Sequence, residues 1–240
     1  MIVEHKFHIG LRDVDKNRKI KNTALLSYLE ELGGIHSDLI GYGLSNIEET
    51  KKTWILLNWK VKVINRPKYA ETITVKTWSR GIDKFYAYRD FEVCNENGEV
   101  LCIATSKWIF MDIDKGKIIK ISKEIQNGYE TESKNVFEEE NNFEIKEKSE
   151  FISCTEFKIT RNLIDFNYHV HNIYYLDLAL EALPEKVYNN LEFNNFKILC
   201  KREIKLGDNV KVFYSEEDSI HIVTVKSEDE KITHAIINLY

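Results

Sequence analysis

Apolar residues recur along this chain with two periods. From residue 22 to about residue 40 they fall at Leu25, Leu29, Leu32, Ile35 and Leu39, three or four apart, which predicts a helix with one buried stripe. Asn22 is placed to cap its start, and Gly41 and Gly43 to end it. Alternating or β-branched runs predict strands on either side: 7–11 before the helix, then 54–64, 72–78, 85–93 and 100–111 after it. The Asn97-Gly98 pair is the turn signal between the last two. An acidic, Asn-rich stretch with little periodicity follows at 123–150. Then the order repeats. Residues 151–159 predict a strand, 162–170 a polar turn, and 171–181 a helix with Ile173, Leu176, Leu180 and Leu183 on one face, Pro184 lying at its end. Strands follow at 196–204, 209–214, 220–226 and 232–239.

The repetition is also one of residues. Asp15, Asn17, Ile20, Asn22 and Glu31 match Asp165, Asn167, Val170, Asn172 and Glu181 at one offset, 165 − 15 = 150, and Phe7 and Ile9 match Phe157 and Ile159. Past the helix, Trp59 and Val61 match Phe196 and Ile198 at 196 − 59 = 137, so the helix-to-strand connection is 150 − 137 = 13 residues shorter in the second copy. Loops absorb such deletions. A strand–helix–four-strand unit must bury its helix against its sheet. The expected fold is therefore α+β, with two repeats (1–122 and 151–240) joined by a linker (123–150), and one continuous antiparallel sheet wrapping two helices.

Composition narrows the function classes. The chain has 240 residues, 43% of them hydrophobic, which suits a globular protein. A formal net charge of −5 gives no global pointer to nucleic acid. The start, MIVEHKFHIG, lacks the apolar core of a signal peptide, and no run is long enough to cross a bilayer. Cys94, Cys102, Cys154 and Cys200 are scattered without a CxxC pair, as expected of reduced thiols in a cytoplasmic protein.

Candidate chemistry gathers in the second polar turn. Asp165, Asn167 and His169 converge before a helix start, where unpaired N–H groups near Val170 and His171 can stabilise an oxyanion. The first copy has Lys19 in place of His169, so the polar set is complete only once. Each residue also has a bland reading: Asp165 as a turn former, His169 as an interior or surface histidine, His171 as structural. The calcium-loop pattern opened by Asp13, Asp15 and Asn17 fails, because Arg18 replaces its glycine and Ala24 its closing glutamate. Asp165, His169 and His171 have no fourth metal ligand at a fitting spacing, and there is no G-x-S-x-G elbow or phosphate loop.

With these residues placed, the sequence resembles the acyl-acyl-carrier-protein thioesterases, hotdog-fold enzymes carrying two repeats in one chain. Their second-repeat motif D-x-N-x-H-V-N-N reads here Asp165, Asn167, His169, Val170, His171, Asn172, with His171 the one departure. Their Y-R-R-E-C-G segment reads Lys201, Arg202, Glu203, Ile204, which supplies Glu203 and puts Ile204 in the cysteine position. Arg66-Pro67, the Thr77-Trp78-Ser79 strand end and Ala104–Trp108 are also similar. The resemblance implies a tandem hotdog that hydrolyses the thioester of acyl carrier protein and releases fatty acid without metal or organic cofactor. It implies catalytic roles among Asp165, Asn167, His169 and Glu203, and, lacking the cysteine, water as nucleophile. The first repeat, with Trp54, Trp59, Trp78 and Trp108, is expected to shape the acyl pocket or simply to pack a core. The alternatives are an acyl-CoA thioesterase, a hotdog dehydratase and a non-catalytic acyl-binding protein. Lys60, Lys62, Lys68, Lys197, Lys201 and Lys205 are candidates for docking the acidic carrier, or a solvated strand face. The duplication supplies the pairing that single hotdogs reach by dimerising, which leaves a monomer or a homodimer.

Overall fold

The computed structural model describes residues 1–138, 143–190 and 192–240. Residues 139–142, within the expected linker, and Leu191 lie outside the described residues. The chain divides into two compact units, Met1–Leu57 with Val61–Asn142, and Asn58–Lys60 with Phe143–Tyr240.

The first unit runs β1 (Ile2–His8), α1 (Asn22–Leu39), the short α2 (Ile47–Thr50), then β2 (Lys52–Val63), β3 (Thr72–Ile82), β4 (Tyr86–Cys94), β5 (Val100–Asp112), the two-residue β6 (Lys117–Ile118) and α3 (Lys123–Gly128). Across the sheet the order is β1-β3-β4-β5-β2, with β6 beside β5. The helix α1 packs on β1 and β3. Its buried face is Leu25, Leu26, Leu29, Leu32, Gly33, His36 and Ser37. Each fully buried leucine contributes about 1.5–3 kcal/mol. The expected stripe therefore holds through Leu32 and then shifts to His36 and Ser37, while Leu39 is 66% exposed. Periodicity fixes the phase of a helix face but not how far along the helix the sheet covers it. Asn22 is not the cap either: Lys21 holds that position without a side-chain bond, and the Asn22 carboxamide oxygen accepts from Arg66 Nη1 at 2.7 Å.

His36 anchors a buried polar cluster in this unit. Arg89 Nη1 lies 2.9 Å from His36 Nδ1 and 3.2 Å from Thr77 Oγ1, and the guanidinium stands over the Tyr129 ring, 5.5 Å from its centroid. Ser37 Oγ and Tyr129 Oη are 2.9 Å apart. A guanidinium only donates, so His36 Nδ1 is the unprotonated nitrogen. Burial, with the Arg89 charge beside it, holds the His36 imidazole down at about 3. The tryptophans here have structural partners: Trp54 packs with Phe110 and Tyr129, Trp78 Nε1 donates to the Lys134 carbonyl at 2.8 Å, and Trp108 Nε1 to Ser106 Oγ at 2.7 Å.

The second unit repeats the plan. It runs β7 (Ser153–Lys158), α4 (Tyr174–Glu181), α5 (Glu185–Asn190), β8 (Asn195–Cys200), β9 (Asn209–Glu217), β10 (Ile220–Ser227) and β11 (Thr233–Leu239). The order β8-β11-β10-β9-β7 is the first unit's order element for element, and α4 packs on β10 and β11. Several boundaries differ from expectation, among them β9, which runs on from 214 to Glu217. The helix begins at Tyr174, not 171, and His171 N instead donates to the Leu163 carbonyl at 2.9 Å. Pro184 starts a further short helix, its carbonyl accepting from Val187 N and Tyr188 N. The strand expected to reach residue 204 ends at Cys200, where Lys201 N and Arg202 N both donate to the His234 carbonyl, at 2.8 and 3.2 Å. Two consecutive N–H groups on one carbonyl break the pleat.

Residue 147, from the expected linker, is also fixed in the second unit. The Glu147 carboxylate meets Thr233 Oγ1 at 2.8 Å, Lys226 Nζ at 3.1 Å and Lys201 Nζ at 3.2 Å. Partial burial works the other way, but these hydrogen bonds hold Glu147 below the ordinary carboxylate range.

Candidate active site

The polar turn of the second unit is closed by its own backbone. Asp165 N donates to the His169 carbonyl at 2.8 Å and Tyr168 N to the Asp165 carbonyl at 3.1 Å, with Tyr168 left-handed at φ 64. Asp165 Oδ1 accepts from Asn167 N at 2.8 Å and His169 N at 3.3 Å, and Oδ2 from Asn167 Nδ2 at 3.4 Å. This is the local bonding that suits aspartate to turns. The turn is then tied to a segment far along the chain. Val170 N donates to the Ile204 carbonyl at 2.8 Å, and His169 bridges Lys205 in antiparallel fashion. Glu203 is the next residue back along that segment.

The backbone thus brings Asp165, Asn167 and His169 beside the stretch carrying Glu203, which lies in the irregular segment beyond β8 and not on a strand. His169 is half-buried and Glu203 is exposed. Among the described residues no hydrogen bond joins the His169 ring to the Glu203 carboxylate. Two expected donors are otherwise engaged: Val170 N is on the Ile204 carbonyl and His171 N on the Leu163 carbonyl. They are not free to meet an oxyanion. Just beyond them, the N–H groups of Asn172 and Ile173 make no hydrogen bond among the described residues, and they stand immediately before α4. There the positive end of the helix dipole adds to their polarity.

Two further residues bear on the Glu203 segment. Tyr175, buried in α4, donates from Oη to the Arg202 carbonyl at 3.3 Å. His234, buried in β11, places Nδ1 3.2 Å from the same oxygen. A carbonyl only accepts, so Nδ1 carries the proton. Burial pushes the Tyr175 phenol well up, with Cys200, Glu203 and Asp165 adding to the shift, so it remains a donor. The sequence places Tyr175 with Tyr174 in the aromatic-rich helix behind the motif but gives it no role, and it does not single out His234. The signal for Tyr175 was present in the repeat itself, because the residue at offset 150 is the aliphatic Leu25.

The first unit has the same turn. Asp15 N meets the Lys19 carbonyl at 2.8 Å and Arg18 N the Asp15 carbonyl at 3.0 Å, and Arg18 has φ 62. Asp15 Oδ1 accepts from Asn17 N at 2.8 Å and Lys19 N at 3.0 Å, and Ile20 N donates to the Pro67 carbonyl at 2.9 Å. In the position of Glu203 stands Arg66 (203 − 137 = 66), which donates to the Ile20 carbonyl at 2.8 Å as well as to Asn22. A cation thus stands beside the first unit's helix start, where the second unit has a carboxylate in the equivalent position. Among the described residues no group of three or more His, Cys, Asp or Glu is arranged to hold a metal ion, and all four cysteines are free thiols.

Comparison with known proteins bears on both units. Residues 2–129 match the model of the acyl-ACP thioesterase N-terminal domain, and residues 145–239 that of the acyl-ACP thioesterase C-terminal domain. Oleoyl-acyl carrier protein thioesterase 1, chloroplastic, of Arabidopsis thaliana is 24% identical over 85% of this chain and 61% of its own length. The oleoyl-acyl carrier protein thioesterase of Coriandrum sativum is 24% identical over 89% and 62%. The chain thus spans about three fifths of the length of these curated relatives. The crystal structure of an acyl-ACP thioesterase from Bacteroides thetaiotaomicron superposes with a TM-score of 0.87 at 20% identity, covering 99% of this chain and 96% of that one. The 12:0-ACP thioesterase from Umbellularia californica gives 0.86 at 19%, covering 99% and 96%. These likenesses show the tandem hotdog fold.

Proposed function

The chain belongs to the acyl-ACP thioesterase family, and from that premise we propose that it hydrolyses the thioester between a fatty acyl chain and acyl carrier protein, releasing the free acid. The observation that carries the reading is the second polar turn: a histidine and an asparagine held by Asp165 against the segment of Glu203, beside unengaged N–H groups at a helix start.

In the proposed reaction the thioester carbonyl oxygen faces Asn172 N and Ile173 N, which stabilise the charge that develops on it. Water is the nucleophile, since Ile204 stands in the cysteine position and offers no thiol. Its oxygen bonds to the carbonyl carbon, its proton passes to the His169–Glu203 side of the site, and the C–S bond breaks to release the carrier thiolate. A thiolate leaves readily, so no strong general acid is needed. Asn167 orients the water or the ring. We assign Asp165 to holding the turn, because Asp15 makes the same two main-chain bonds where no histidine is present. The four free thiols support a reducing, cytoplasmic setting, and among the described residues no helix is long and apolar enough to cross a membrane.

The test is direct. Purified protein is offered acyl chains of matched length on acyl carrier protein and on coenzyme A, and thiol release is followed. Hydrolysis is expected on both, faster on the carrier protein. No release from either removes the enzymatic reading, and faster turnover on coenzyme A removes the carrier-protein reading.

A further inference from the structure

The segment after β8 is fastened twice. The main-chain fastening is common to both units: Lys201 N and Arg202 N on the His234 carbonyl correspond to Ile64 N and Asn65 N on the Leu101 carbonyl, at 2.8 and 3.1 Å. Val170 N on the Ile204 carbonyl corresponds to Ile20 N on the Pro67 carbonyl. The turn beyond agrees as well. Lys205 N meets Asp208 Oδ2 at 2.9 Å, as Lys68 N meets Glu71 Oε2 at 3.0 Å.

The second fastening occurs only in the second unit. Tyr175 Oη and His234 Nδ1 converge on the one carbonyl of Arg202, at 3.3 and 3.2 Å. The counterparts of these residues in the first unit are Leu25, at the offset of 150, and Leu101, by the bonding of its carbonyl; both are buried, and neither has a polar side chain. The first unit is therefore a control built into the same chain. Its backbone closes the same way with aliphatic side chains in these two places, the segment's own Arg66 bonding to Ile20 and Asn22 instead, so closure of the segment does not require a phenol or an imidazole. Both are nonetheless buried in the second unit, where a polar group without a partner costs free energy.

What the pair fixes is the peptide plane between Arg202 and Glu203. The carbonyl of 202 and the N–H of 203 lie in one plane. Two donors on that oxygen set the plane's tilt, and Val170 N sets the carbonyl of 204. Glu203 is thus held between two anchored carbonyls, although its own side chain is exposed and makes no hydrogen bond among the described residues.

We infer that Tyr175 and His234 are positioning residues that aim the Glu203 carboxylate at the reacting water; this rests on the reading of Glu203 as part of the hydrolytic site. They touch no substrate. Their effect passes through Glu203, so it belongs in kcat and vanishes when Glu203 cannot act.

A double-mutant cycle tests this. Tyr175→Phe and His234→Leu, the latter copying Leu101, are made singly and together, in the native chain and in Glu203→Gln. In the native chain each single change is expected to lower kcat by roughly tenfold, the scale of one net hydrogen bond, with KM for the acyl-carrier thioester unchanged. His234→Asn, whose amide can donate from the place of Nδ1, is expected to recover most of that loss. In Glu203→Gln the same changes are expected to alter kcat by less than about twofold, the non-additivity of groups that act as a unit. Thermal melting identifies any variant that has lost its fold. Equal fold-losses in both backgrounds would overturn the inference, as would a folded Tyr175→Phe/His234→Leu double variant with native kcat. A fully active Glu203→Gln removes the underlying assignment of Glu203 instead, and that outcome is visible before the cycle is closed.

Discussion

The turns at Asp15–Lys21 and Asp165–His171 are the same object made twice. In each, an aspartate holds the N–H groups two and four residues on, a left-handed residue follows three later, and the next N–H but one reaches the segment after β2 or β8. They differ in what is mounted on them. The first carries Lys19 and meets Arg66, whose guanidinium binds the helix start. The second carries His169 and meets Glu203, a carboxylate in the place of the guanidinium. The turn needs only its aspartate and its backbone, so the side chains at 169 and 203 are free of structural duty. That separation supports a chemical role for His169 and Glu203 and a scaffolding role for Asp165.

Making the copies alike is the strongest way to break the contrast. His169→Lys installs the first copy's residue in a turn that already accommodates lysine at Lys19. Turnover of acyl carrier protein thioester is expected to fall by roughly 10²–10⁴-fold, the range for loss of an acid–base group, while the melting temperature stays near native. A fully active variant would end the distinction between the turns.

Acid sensitivity should divide the units next. Among the groups described, His36 of the first unit is the histidine held far below its ordinary value, at about 3. Its unfolded value is about 6.5. Since the folded value is the lower one, the unfolded chain binds the extra proton first. Stability is therefore full above about pH 6.5 and declines as pH falls toward 3, by on the order of a few kcal/mol. His36→Gln, whose carboxamide oxygen can still accept from Arg89, should flatten this part of the stability–pH curve measured by denaturant titration. An unchanged slope would mean that His36 is not the proton-binding group.

Asp15→Ala and Asp165→Ala sharpen the comparison. Each removes two main-chain hydrogen bonds, so both should cost about 1–2 kcal/mol in chemical denaturation. Only Asp165→Ala should also slow hydrolysis, because only it releases a turn bearing a histidine. The smallest effect is expected one turn further on, where Ala70 at φ 68 and Gly207 at φ 87 are counterparts. A Cβ on Gly207 would meet nothing within 4 Å, so Gly207→Ala should cost only the left-handed strain, about 1 kcal/mol, and Ala70→Gly should return a similar amount or less. Equilibrium unfolding of the two variants decides both signs.

Sequence pattern made much of this visible. Both helices and the later strands stand close to where periodicity puts them, because each has one face to bury. The first strand runs Ile2–His8 and not 7–11, since Leu11 belongs to a short helical turn. The offset of 150 already aligned the two polar turns. Other features depend on where hydrogen bonds point, which pattern does not carry. Val170 and His171 were expected to offer donors, yet both N–H groups close the turn against carbonyls at 204 and 163. The end of β8 at Cys200 comes from two N–H groups sharing one oxygen, a geometry that leaves no mark on an apolar run. Tyr175 and His234 read as ordinary members of a helix face and a strand until their shared acceptor is known.

Glu147 bears on how the chain can be divided for recombination with other proteins. A cut placed at residue 151, just before β7, would discard the carboxylate that gathers Lys201, Lys226 and Thr233. Two ammonium groups would then be left without their common counter-charge, one of them two residues from Glu203. A transferable second unit therefore begins upstream of 147, and its stability in high salt should report how firmly that single carboxylate ties the unit's entry to the Glu203 segment.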